Sequence, residues 1–180
     1  ACNGLKACQG IIGKLEAPIV ACDGDIACVD KKIVADGGSA LATPVENLAT
    51  CNGKKACVSS NVISKLGRID CDGDTACKKA GLSASTVACG GKRGCYESII
   101  KQPTTVFAYG FNSIANAQII GGDGDEEIRA LGMNAVMGST VTTGQSGTTT
   151  ILGYGFKSLV GAAIKCVGTT TCKITCKMNA

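Results

Sequence analysis

One seven-residue pattern constrains this chain more than anything else in it. Cys71-Asp72-Gly73-Asp74-Thr75-Ala76-Cys77 reads C-x-G-x-x-A-C. Cys2 to Cys8, Cys22 to Cys28, Cys51 to Cys57 and Cys89 to Cys95 repeat it, and Cys166 to Cys172 is a looser copy. Three more copies lack cysteine and centre on Gly110, Gly132 and Gly155. The central glycines are then Gly4, Gly24, Gly53, Gly73, Gly91, Gly110, Gly132, Gly155 and Gly168, at intervals of 20, 29, 20, 18, 19, 22, 23 and 13. Self-similarity at this period marks a solenoid, in which each repeat packs only on its neighbours.

Superposing the copies on the glycine produces columns. Four residues before it stand Val20, Ala49, Ile69, Val87, Val106, Ile128, Ile151 and Ile164. Two before it stand the first cysteines, then Ala108, Ala130 and Gly153, then Cys166. Three after it the residue is small, and four after it stand the second cysteines or Ile114, Val136 and Leu159. Nine after it come Ile33, Val62, Leu82, Ile100, Ile119, Val141 and Ile164. Alternate positions before the glycine face inward as on a short strand. The glycine turns a corner where a side chain would clash, and a second short strand follows. The expected fold is all-β: a single-stranded parallel β-helix (β-solenoid) of about nine coils with disulfide-stapled corners, one domain over 1–180. Residues 1–100 and 166–176 form Cys-rich coils, 101–165 form Cys-free coils, and 34–50 form a protruding loop. Only 3% of the chain is aromatic, so small and β-branched residues must fill the interior.

Thirteen regularly spaced cysteines point to an oxidising, extracellular compartment. Zinc sites use closer C-x2-4-C pairs, often with His; here the spacing is C-x5-C and His is absent. The two cysteines of a copy are present together in six coils and absent together in three. That joint loss favours pairing within the coil: Cys2–Cys8, Cys22–Cys28, Cys51–Cys57, Cys71–Cys77, Cys89–Cys95 and Cys166–Cys172. Pairing along a column of stacked cysteines is the alternative. Cys176 is left over, either unpaired or intermolecular. Because Ala1-Cys2 already begins a repeat, the expectation is a mature chain whose secretion signal has been removed. No run is long and apolar enough to insert into a membrane.

One position after the glycine the first coils carry Leu5, Asp25, Lys54, Asp74 and Lys92, an alternation of sign that favours one register over a slipped one. In the next three coils this corner turns apolar. It reads Phe111, Met133 and Phe156, with Tyr109, Leu131 and Tyr154 on the other side of the glycine. Such an outward stripe is the candidate assembly interface. Solenoid ends without caps invite head-to-tail contacts, which generate filaments.

Little in the chain suggests catalysis. Without His, no Ser-His-Asp or Cys-His site exists. The carboxylates Asp23, Asp25, Asp72, Asp74, Asp123 and Asp125 belong mostly to repeat corners, and positions that recur with the repeat read as architectural. No catalytic, cofactor-binding or metal residue is assigned. The run Gly122-Asp123-Gly124-Asp125-Glu126-Glu127 offers oxygens for Ca²⁺ but lacks a calcium-loop spacing, and reads better as a solvated acidic turn. Lys and Asp are interspersed at a net charge of +4, without a basic tract, which excludes nucleic acid as a partner. Thr140, Thr142, Thr143, Thr148 to Thr150 and Thr169 to Thr171 raise ice binding, glycan binding or O-glycosylation as alternatives.

The C-x-G-x-x-A-C-x-x-A pattern, clearest over Cys71 to Ala80, resembles the Cys-rich β-helix repeats of proteins secreted by stramenopiles (oomycetes, diatoms and related algae). Shaft proteins of their flagellar hairs, the mastigonemes, are similar. The resemblance implies an extracellular β-helix, and with it a non-enzymatic structural subunit forming a homopolymer with itself or related subunits.

Overall fold

The computed structural model describes residues 5–8, 14–36, 47–168 and 171–177. Its strands are β1 (Lys14–Ala17), β2 (Ile19–Ala21), β3 (Lys32–Ala35), β4 (Leu48–Thr50), β5 (Asn61–Cys71), β6 (Gly81–Cys89), β7 (Ile99–Lys101), β8 (Thr105–Ala108), β9 (Gln118–Ile120), β10 (Glu126–Ala130), β11 (Thr140–Thr142), β12 (Thr148–Gly153), β13 (Ala163–Lys165) and β14 (Thr171–Cys176). All pair in parallel and form two ladders. One ladder stacks β1, β3, the start of β5, the start of β6, β7, β9, β11 and β13. The other stacks β2, β4, the end of β5, the end of β6, β8, β10, β12 and β14. The molecule is a β-solenoid whose two ladders are joined by β5 and β6, which run straight through the corner.

Each ladder buries one aliphatic column. Ile33, Val62, Leu82, Ile100, Ile119 and Val141 lie on the first, and Ala49, Ile69, Val87, Val106, Ile128 and Ile151 on the second; all are at most 2% exposed. Strand alternation and the two-residue period produce this arrangement directly. The third side of each coil, which carries the corner glycine, is not a strand. It is a run of turns with two left-handed residues per coil, such as Lys55 (φ 58°) and Ser59 (φ 57°), then Thr75 (φ 57°) and Lys79 (φ 58°). Its backbone still pairs from coil to coil: the Cys57 N–H donates to Ala76 O at 2.7 Å and the Cys77 N–H to Gly94 O at 2.7 Å.

Disulfides Cys22–Cys28, Cys51–Cys57, Cys71–Cys77 and Cys89–Cys95 each close one turn between the second ladder and this third side. Cys8 is also disulfide-bonded, and Cys2 lies outside the described residues. Val34 and Ala35 end β3 and residues 48–50 are β4, so within 34–50 only the stretch 37–46 falls outside the described residues.

The coil count needs correcting. Eight rungs per ladder make about seven turns, not nine coils. The error lies in the last copy. Ile164 pairs with Val141 on the first ladder, not with the second-ladder column. Gly168 packs against Gln145 rather than on Gly155. Cys172 stands in register with Thr149, and Val167 N–H donates to Thr143 Oγ1 at 3.1 Å. Cys166–Cys172 therefore closes the other corner, between the two ladders. The residue in the first-cysteine column is Cys176, in register with Gly153.

Serine supplies a second set of corner ties. Seven residues after the corner glycine, Ser60, Ser98 and Ser139 are buried. Their hydroxyls donate to the carbonyls of Cys28, Cys77 and Ile114 in the preceding coil, and accept from the N–H groups of Lys31, Ala80 and Ala117. Each serine thus ties two backbone groups of the preceding turn; at Ser98 it adds to the Ala80 N–H to Cys77 O bond at 3.2 Å.

Candidate functional site

The stripe corner is built on glycine. A Cβ on Gly110 would lie 1.8 Å from Gly91 O, and one on Gly132 would lie 2.2 Å from Gly110 O. Neighbouring coils touch backbone to backbone here, so the residues flanking each glycine are pushed outward. The polar part of the corner is held by hydrogen bonds to backbone rather than by ion pairing along the column. Asp25 Oδ1 accepts from the Lys54 N–H at 2.9 Å, and Asp23 Oδ1 from the Asn52 N–H at 3.3 Å.

The apolar part is exposed. Tyr109 and Phe111 are 43% exposed, Leu131 45%, Met133 48% and Phe156 58%; Tyr154 is half-buried. Tyr109 is held from two sides. Its ring fills the space that a Gly90 side chain would take, with Cε2 2.3 Å from the ideal Cβ position. Its hydroxyl reaches the Asp72 carboxylate. Burial, then the negative charges of Asp72 and Asp70, push the phenol pKa up, with Arg68 opposing. At the other end, the Lys157 ammonium stands 5.3 Å from the Phe156 ring centre. The six predicted interface residues thus occupy adjacent rungs of one corner.

The corner between the two ladders holds what sequence reasoning missed. Glu126 is buried at 8% exposure, not solvated. Its carboxylate accepts from Thr149 Oγ1 at 3.0 Å and faces the N–H groups of Gly122 and Gly144. Desolvation nevertheless raises its pKa, helped by the nearby Asp123 charge. The strand period held the signal: Glu126, Ile128 and Ala130 share the inward face. An open groove of about 480 Å³ runs outside this corner, lined by hydroxyls and carboxylates that include Thr104, Asp125, Glu127 and Thr148. Among the described residues no three His, Cys, Asp or Glu side chains converge as metal ligands.

The threonines do not form a flat ladder. The outward column of the second ladder runs Arg68, Thr86, Thr105, Glu127, Thr150 and Lys173, so charge interrupts it. Cys176 is a free, exposed thiol. None of the described residues forms a helix long and apolar enough to cross a membrane. No protein-family model, curated protein or solved structure matches this chain.

Proposed function

We propose that this chain is an extracellular, non-enzymatic structural protein, a disulfide-stapled β-solenoid subunit that self-assembles into a filament or surface appendage. The five bridges of the described coils accord with an oxidising, extracellular setting. The observation that carries the assembly reading is the run of exposed large apolar side chains on one corner, Tyr109, Phe111, Leu131, Met133 and Phe156. Contiguous apolar surface of this kind is costly in water and marks a contact. The resemblance of the cysteine motif to stramenopile repeat proteins supports a flagellar-hair shaft as the specific assembly. The reading is tested by the double substitution Phe111→Ser and Phe156→Ser. Both side chains point outward, so the variant keeps its fold by circular dichroism while sedimentation shows dispersed subunits. A folded variant that still assembles as the unmodified chain does overturns the role of the stripe.

A further inference from the structure

The fold gathers charge that the sequence scatters. Three consecutive coils stack their third sides in register. The Lys55 N–H donates to Asp74 O and the Thr75 N–H to Lys92 O, both at 3.0 Å. Further along the same side, the Ser59 N–H donates to Lys78 O at 2.9 Å and the Lys79 N–H to Tyr96 O at 3.0 Å. The stretches so aligned, 54–59, 74–79 and 92–97, carry Lys54, Lys55, Lys78, Lys79, Lys92 and Arg93 against only Asp74 and Glu97. Taking these six and two from the 18 basic and 14 acidic residues of the chain leaves twelve of each. The net charge of +4 is thus the charge of this one face. The coil before it turns acidic with Asp25 and Asp30, and the coil after it carries the uncharged Phe111, Asn112 and Asn116.

Most of these cations are not neutralised within the fold. Lys54, Lys55 and Lys92 are exposed, and among the described residues their side chains have no ion-pair partner. Lys79 does pair, with Glu97 at 3.7 Å. Tyr96 orders two others: Lys78 Nζ lies 5.4 Å and Arg93 Cζ 5.5 Å from its ring centre. The Tyr96 hydroxyl in turn accepts from Asn116 Nδ2 at 3.0 Å. A guanidinium held against a fixed ring is a pre-organised fork for anionic oxygens.

The layout suits a linear polyanion. Lys54 and Lys92 stand two rungs apart, about 9.6 Å, with Asp74 between them, and Lys55 and Arg93 repeat that separation alongside. Tyr96 is the one aromatic residue in the three stretches and is already taken up by Lys78 and Arg93. The face therefore lacks the series of stacking aromatics that single-stranded nucleic acid uses. In the extracellular setting that the bridges favour, the fitting polyanion is a polysaccharide. We propose that this face binds an acidic polysaccharide, a chain bearing carboxylate or sulfate groups, laid along the solenoid axis. The proposal does not rest on self-assembly, because the apolar stripe belongs to the coils of Gly110, Gly132 and Gly155.

The test measures retention of the full chain on immobilised polygalacturonate and dextran sulfate, with neutral dextran as the blank, in about 0.15 M salt. The triple variant Lys54→Gln, Lys55→Gln, Lys92→Gln is compared with Lys32→Gln, Lys101→Gln, Lys173→Gln, which removes the same charge from exposed positions elsewhere. The parent chain is expected to bind at least one acidic polymer and not dextran. The face variant should bind about tenfold more weakly, and the control variant should stay within about threefold of the parent. Asp74→Asn should bind about threefold more tightly, a gain that misfolding cannot mimic. No retention on either acidic polymer, or equal losses in the two triple variants, overturns the proposal. Tighter binding to single-stranded DNA than to both polysaccharides overturns the choice of partner. The same series in the Phe111→Ser, Phe156→Ser background gives the same pattern in dispersed chains, so failure here leaves the assembly reading standing, and the reverse.

Discussion

The carboxyl of Glu126 occupies the space that a side chain on Gly121 would need: an ideal Cβ there lies 2.0 Å from Glu126 Oε1. The two residues face each other across the corner between the ladders, one coil below Thr143 and Thr149 and two below the Cys166–Cys172 bridge. Gly121→Ala is therefore expected to cost about 1–3 kcal/mol by overpacking. In the background of Glu126→Ala the same change costs far less. A double-mutant cycle by urea denaturation measures the coupling, and additive effects contradict the contact.

Glu126 also sets a pH dependence. Burial raises its pKa in the folded chain, against the Thr149 hydrogen bond and the Gly122 and Gly144 N–H groups. An unfolded carboxyl titrates near about 4.3. Between that value and the raised one the folded state holds the extra proton, so this group stabilises the fold at acid pH and the contribution is lost as pH rises. Glu126→Gln keeps an acceptor for Thr149 and carries no charge. It is expected to raise the melting temperature at pH 7 and to flatten the decline of stability between pH 4 and 7 relative to the parent. A variant as pH-dependent as the parent over that range contradicts this account.

The Cys-free coils show how a corner bridge can be replaced. Cys71 and Cys77 are fully buried, and the equivalent positions two coils on are Ala108 and Ile114, also fully buried. Cys71→Ala with Cys77→Ile should fold and lose about 2 kcal/mol, the chain-entropy value for so short a loop. Failure to fold would mean that the bridge is obligatory for the coil.

Glycine tolerance should differ sharply by position. A Cβ on Gly73 would lie 2.3 Å from Gly53 O, a backbone atom that cannot step aside. On Gly81 the nearest atom would be Asn61 Oδ1 at 3.4 Å. Gly73→Ala is expected to cost more than about 2 kcal/mol, and Gly81→Ala less than about 0.5. Equal melting temperatures for the two variants contradict the close stacking of corners.

The left-handed positions offer a stabilising change. Lys55 is exposed with φ 58°, and the matching positions in later coils are Asn112 and Asn134, both with φ 52°. Asn tolerates this conformation better than Lys, so Lys55→Asn is expected to add about 0.5 kcal/mol. A lowered melting temperature argues against it.

The fold was legible because the corner glycine recurs and fixes every column relative to it. Both aliphatic columns and the exposed stripe follow from counting outward from Gly53 or Gly110. The last copy was misread because Cys166-x5-Cys172 has the spacing of the other bridges while closing a different corner. Two signs of this were present: the interval of 13 from Gly155 to Gly168, and the placement of Ile164 in two columns at once. The turn-built third side was hidden because left-handed Lys, Thr and Arg leave no mark in composition. Glu126 was hidden within an acidic run, although its parity with Ile128 places it inside. The serine ties were visible as an alternation of Ser60, Ala80, Ser98, Ala117 and Ser139 seven residues after each glycine.

Electron microscopy of the native, non-reduced protein tests the central claim most directly. Eight rungs at about 4.8 Å each predict filaments with an axial subunit repeat near 38 Å. A field of dispersed short rods at concentrations where the folded chain is abundant would contradict self-assembly.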